Sequence, residues 1–131
     1  MRLRDLTPSE LTAVALRRDR VRAALSGRAD APTDAEIDRA PYMRDWIERS
    51  YPGTDKPCLH GETWGHPILG NTFVTTSVIQ ERGPGWCRTY SGTLYILGSE
   101  CRDARLARRS AQAIEQAALL AEAVASTGYR P

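Results

Sequence analysis

Three side chains with metal chemistry stand close together: Cys58, His60 and His66. Thiolate and imidazole are the usual donors to zinc, and Cys87 or Cys101 would complete a tetrahedral set. The spacing matches no finger or ribbon, however, and Pro57 and Pro67 force an irregular path. The three stand as weak candidates against a Gly/Pro loop whose histidine caps or hydrogen-bonds, and no metal or cofactor is expected. Covalent catalysis has thinner support. Ser77 and Ser91 have only His60 or His66 to serve as base, and there is no G-x-S-x-G elbow. Cys101 begins a candidate helix, where its pKa would fall, but Glu100 and Asp103 beside it oppose that. Cys87 reads as a small buried hydrophobe. Glu62 and Glu81 could form a carboxylate pair, with nothing to fix their separation.

The arginines are the richer signal. Lys56 is the only lysine among 18 basic residues. Guanidinium pairs bidentately with phosphate and carboxylate, although codon bias in a GC-rich genome gives the same composition. Arg17, Arg18, Arg20 and Arg22 cluster early in the chain, and Arg102, Arg105, Arg108 and Arg109 cluster late. Packed side by side, the two groups would grip phosphates; apart, they are solvated faces diluted by Asp19, Glu100 and Asp103. Arg18 falls inside an apolar stripe, with its stem along the core and its head outward, or paired with a carboxylate, or against a partner. Arg88 lies beside Trp86 and Tyr90, as a cation–π stack or a phosphate clamp. Arg88, Tyr90, Arg105, Arg108, Arg109 and Arg18 are therefore the candidate partner- or nucleic-acid-binding residues.

These residues need elements to hold them. Thr7-Pro8-Ser9-Glu10 is a capping box with proline at the first helical position, and Leu11, Val14, Val21 and Leu25 follow at helical spacing up to Gly27. Residues 28–32 read as a linker. Thr33 and Glu36 suggest a second capping box, opening a short helix that Pro41 interrupts. Tyr42, Met43, Trp46 and Ile47 share one helical face, and Tyr51-Pro52-Gly53 ends the helical part. From Leu59 the texture turns to β-branched and aromatic residues with glycine punctuation. A weak strand is expected near Glu62–Trp64, a strong one over 72–80, a turn over 81–85, and the strongest strand over 86–97. Gly92 would mark a bulge within it. Leu94 and Ile96 should face opposite to Tyr95 and Leu97. Ser99 is a plausible N-cap for a long amphipathic helix running to Gly128, with Leu106, Ala113, Ala117, Leu120 and Val124 on one side.

Gly65-His66-Pro67, Thr76-Ser77, Gly85-Trp86-Cys87-Arg88-Thr89 and Tyr95-Ile96-Leu97-Gly98 occur in that order. The set resembles an uncharacterised family of short alphaproteobacterial proteins carrying G-H-P, T-S, G-W-x-R-T and Y-x-L-G. The resemblance covers residues 61–98, implies the sheet and names no reaction. Short proteins of this kind travel on phages and plasmids, which implies a regulatory or anti-defence role.

The expected architecture is one α+β domain over 1–131. It comprises a helical N-terminal part (1–57), a three-stranded antiparallel meander (58–98) and a long C-terminal amphipathic helix (99–128). Three irregularly spaced cysteines make no disulfide framework. No apolar run approaches a membrane span, and the first residues do not form a signal peptide, so a cytoplasmic location without membrane contact is expected. The leading functional expectation is a small non-enzymatic interaction protein, a regulator or inhibitor that binds a protein partner and is encoded by a phage or mobile element. The terminal helix would offer a face for homodimerisation. An arginine-dependent DNA- or RNA-binding regulator comes second, and a zinc- or thiol-dependent enzyme third.

Overall fold

The computed structural model describes residues 2–101 and 103. Two helices, α1 (Pro8–Leu25) and α2 (Asp34–Arg39), precede six strands: β1 (Tyr42–Ser50), β2 (Pro57–His66), β3 (Gly70–Thr75), β4 (Ile79–Gly83), β5 (Trp86–Thr89) and β6 (Leu94–Leu97). The start of α1 is the expected capping box. The Thr7 hydroxyl accepts from the Glu10 amide, the Glu10 carboxylate accepts from the Thr7 amide, and Pro8 spends no donor. Thr33 caps α2 in the same way, accepting from the Glu36 amide at 3.1 Å.

The sheet order is β3-β2-β1-β6-β5-β4. Two antiparallel meanders, β1–β3 and β4–β6, meet at a parallel β1/β6 pair with Tyr42 opposite Ile96. This replaces the single three-stranded meander expected from the sequence. The difference comes from breaks inside two runs that look continuous. The 72–80 run stops at Thr76, because Thr76 turns inward and its hydroxyl accepts from the Leu59 amide at 3.0 Å. The 86–97 run folds back on itself at Tyr90-Ser91-Gly92. The Gly92 amide donates to Thr89 O at 2.8 Å and the Thr89 amide to Thr93 O at 3.1 Å. Gly92, at φ +90°, is the left-handed residue that closes a three-residue hairpin loop, not a bulge inside a strand.

Residues 42–50 form a strand, not the helix expected. A β-bulge between Arg44 and Ile47, with Asp45 at φ +50°, explains the misleading period. The extra residue puts Met43 and Trp46, three apart, in one apolar cluster. A pattern that looks helical is thus a strand with its alternation reset. The long C-terminal helix fails at its start: the Cys101 amide donates to Trp46 O at 2.9 Å and Glu100 bridges Trp46 in parallel, so 99–101 run along β1. The rest of that expected helix lies outside the described residues.

The sheet must coil. Five interstrand spacings put the edges of a flat six-stranded sheet about 24 Å apart. The link from Thr75 at one edge to Ile79 at the other reaches at most about 14 Å. Arg82 on β4 accordingly pairs with Glu48 on β1, across the two intervening strands. Inside the coil lie Met43, Leu59, Val74, Ile79, Cys87 and Tyr95. Outside it, α1 and α2 cover Tyr42, Trp64, Trp86, Leu94 and Ile96 with Val14, Val21, Leu25 and Ile37. Leu11, expected in that stripe, is 54% exposed. Gly98 is a close-packing position, since a Cβ there would stand 2.3 Å from the Tyr42 hydroxyl. No helix among the described residues is long and apolar enough to cross a membrane.

Candidate functional site

The metal candidates do not converge. Cys58 is fully buried. His60 points its Nδ1 at the Thr75 hydroxyl, 2.7 Å away, and stacks on Phe73. His66 accepts at Nδ1 from the amides of Ile68 and Leu69, at 3.1 and 3.0 Å, and so fastens the β2–β3 turn. Burial lowers the pKa of both histidines, His60 with added repulsion from Arg49. Among the described residues no three His, Cys, Asp or Glu side chains could hold a metal ion. The serines lack a base. Ser77 accepts from the Ser91 amide and Ser91 shares a proton with Thr89, while both histidines are engaged elsewhere. Cys87 is buried, and desolvation pushes its thiol up to about 12. Glu62 and Glu81 stay apart, on Arg44 and Arg28 respectively.

Arg88 is neither a stack nor an open clamp. Its guanidinium donates to Gly92 O at 3.1 Å and pairs with Glu36 of α2 at 2.8 Å. The cation over Trp86 is Arg28, itself held by Asp30 and by Glu81 at 2.6 Å. A groove of ≈ 210 Å³ lies among these side chains. Its two guanidiniums are matched by the Asp30 and Glu81 carboxylates in its lining, and Arg88 is further paired with Glu36, so it does not favour phosphate. Tyr90 sits at the hairpin tip, 67% exposed. Arg18 lays its stem in the core as expected, but its head turns to α2, donating to Ile37 O at 3.2 Å and Ala40 O at 2.9 Å. Both carbonyls belong to the last turn and cap of α2, and Ile37 O also accepts the Ala40 amide at 3.2 Å. Desolvation lowers the Arg18 pKa. Arg105, Arg108 and Arg109 lie outside the described residues.

Sequence reasoning missed three features. The first is an ion chain on the outer face: Arg4 and Arg44 both grip Glu10, Arg44 also meets Glu62 at 3.1 Å, and its guanidinium covers Trp64 at 4.7 Å. Hydrogen bonds from Arg4 and the Thr7 amide hold the Glu10 carboxyl far below the usual range. No sequence spacing announces such a chain. The second is the β2–β3 tip, where Ile68 is 86% exposed and Leu69 and Phe73 stand out beside it. Here a signal existed: two large apolar residues between Pro67 and Gly70, in a turn that should be polar. The third is a hollow between α1 and the β4–β5 turn, lined by Arg17, Arg20, Val21, Ala24, Pro84 and Leu97.

No curated protein and no solved structure matches the chain. A family model described as a family of unknown function (DUF6634) matches residues 11–128, well beyond the 61–98 covered by the motif resemblance. The chain therefore belongs to the DUF6634 family, whose function is unknown.

Proposed function

We propose that the chain is a small non-enzymatic interaction protein that regulates or inhibits a protein partner, and that the β2–β3 tip is its principal contact. The observation that carries this is Ile68, displayed at 86% exposure on a turn that cannot easily yield. His66 binds two amides of that turn, and the Asn71 side chain accepts from the Gly65 amide at 3.0 Å. A rigid support spares the ordering cost that a flexible loop pays on binding. Large apolar side chains held this way are typical of contact surfaces and lack any packing role.

An arginine-dependent nucleic-acid contact is disfavoured at six of the described arginines. Arg4, Arg22, Arg28, Arg44, Arg82 and Arg88 each meet a carboxylate within the chain. A neutralised guanidinium releases few counterions from DNA or RNA.

The test is capture from a nuclease-treated lysate on immobilised full-length chain, followed by identification of the retained protein. Wild type should retain one protein that Ile68→Asp loses, with the variant's thermal midpoint unchanged because the side chain packs on nothing. Retention by Ile68→Asp equal to wild type, or retention of nothing by either, overturns the proposal.

A further inference from the structure

Along α1, Arg17, Arg20, Val21 and Ala24 fall at i, i+3, i+4 and i+7, one stripe of the helix. That stripe faces Pro84-Gly85 of the β4–β5 turn and Leu97 of β6, enclosing an open hollow of ≈ 290 Å³. Its floor is apolar: Val21 is buried there, Ala24 and Pro84 form the sides, and Leu97 borders it with its backbone. Among the described residues its rim carries two guanidiniums and no carboxylate. Arg17 is held in place by donating one N–H to Leu97 O at 3.3 Å, and its guanidinium has further N–H groups to donate. Arg20 is exposed and meets no carboxylate among the described residues. This contrasts with Arg4, Arg22, Arg28, Arg44, Arg82 and Arg88, each of which meets a carboxylate.

We infer that this hollow is a second contact site, which takes a partner segment bearing a carboxylate next to an aliphatic side chain. The inference rests on the reading of the chain as a protein-binding module. The aliphatic group would sit against Val21, Ala24 and Pro84, and the carboxylate would bridge Arg17 and Arg20 in the charge-assisted geometry that guanidinium favours. A nucleic-acid backbone matches the rim but brings no aliphatic group for the floor. A phosphate track would also need a longer row of free cations than this pair.

The probe is acetyl-leucyl-glutamyl amide, titrated into the full-length ¹⁵N-labelled chain, with the glutaminyl analogue as control. Saturable amide shifts should appear at Val21, Ala24, Gly85 and Leu97, and the uncharged analogue should bind about tenfold more weakly, the loss of one charge-assisted contact. Ala24→Glu, which puts a carboxylate one turn beyond Arg20 on the same stripe, should abolish the shifts, as should Arg20→Gln, while Arg20→Lys restores part of them. Both positions face solvent, and a dispersed spectrum of the free variant reports its fold. Equal binding of both peptides, shifts elsewhere, or none up to the peptide's solubility overturns the inference. So does displacement by a single-stranded oligonucleotide that perturbs arginines all along α1, or concentration-dependent shifts at the same residues without peptide, which mean a second copy. If the peptide fails while Ile68-dependent capture persists, the hollow is refuted and the interaction reading stands. If capture fails while the peptide binds, the tip is refuted instead.

Discussion

On one flank of α1, Arg18 and Arg22 reach α2; on the other, Arg17 and Arg20 face the β4–β5 turn. The four lie within six residues and look like one basic cluster in the sequence. Arg18 closes the carbonyl end of α2, and Arg22 gathers Asp19, Asp34 and Asp38, at 2.7, 3.0 and 2.6 Å. Arg17 and Arg20 look across a helix groove at Pro84 and Gly85, which have no charge to offer. Identical side chains are internal fasteners on one flank and an outward rim on the other. What decides is the neighbouring element, and neither flank's neighbour is local in sequence.

The largest expected effect tests that division by stability. Arg18→Ala removes the Arg18 bonds to Ala40 O and Ile37 O, the latter keeping only the Ala40 amide, and should cost about 2 kcal/mol, read as a lower midpoint in urea. Arg20→Ala should stay within about 0.5 kcal/mol of wild type. Similar losses from both would dissolve the comparison. A second effect concerns Glu10, which ties α1 to Arg44 of β1. Its folded pKa lies below the ordinary 4.5. The folded state therefore binds fewer protons than the unfolded one, and this stabilisation is complete above pH 4.5 and lost as pH falls through the folded value. The midpoint gap between wild type and Glu10→Gln should accordingly be widest near neutrality and narrow steadily in acid. A gap that widens in acid would contradict the ion chain. The smallest effect belongs to Arg22, whose carboxylate partners are exposed. Arg22→Ala should lower the melting temperature slightly at low salt and not at high salt, where screening removes the pairs.

Local chemistry was legible and long-range geometry was not. The caps at Thr7 and Thr33, the turn ahead of Trp86, the inward Cys87 and the alternation of Leu94 and Ile96 against Tyr95 and Leu97 all follow from neighbours a few residues away. The bulge at Asp45 does not, because it imitates helical spacing. The breaks at Thr76 and Tyr90 fall in runs whose composition is entirely strand-like, and the inward turn of Thr76 depends on Leu59, 17 residues earlier. The same holds for the candidate site. Arg88 was correctly placed on a face with Trp86, but Glu36 on another element neutralises it. Ile68 escaped the sequence reading, because nothing local showed that β2 ends at His66 and leaves it exposed in a turn that His66 fastens.

The account turns on a surface whose affinity comes from apolar contact plus one or two charges, not from a field of arginines. The most direct measurement is the affinity for the captured protein as salt is raised about fourfold. A weakening of about tenfold or less is predicted, since the Arg17/Arg20 rim brings two guanidiniums to the contact. A fall of about a thousandfold, the response of six or more released counterions, would contradict it and return the chain to the nucleic-acid binders.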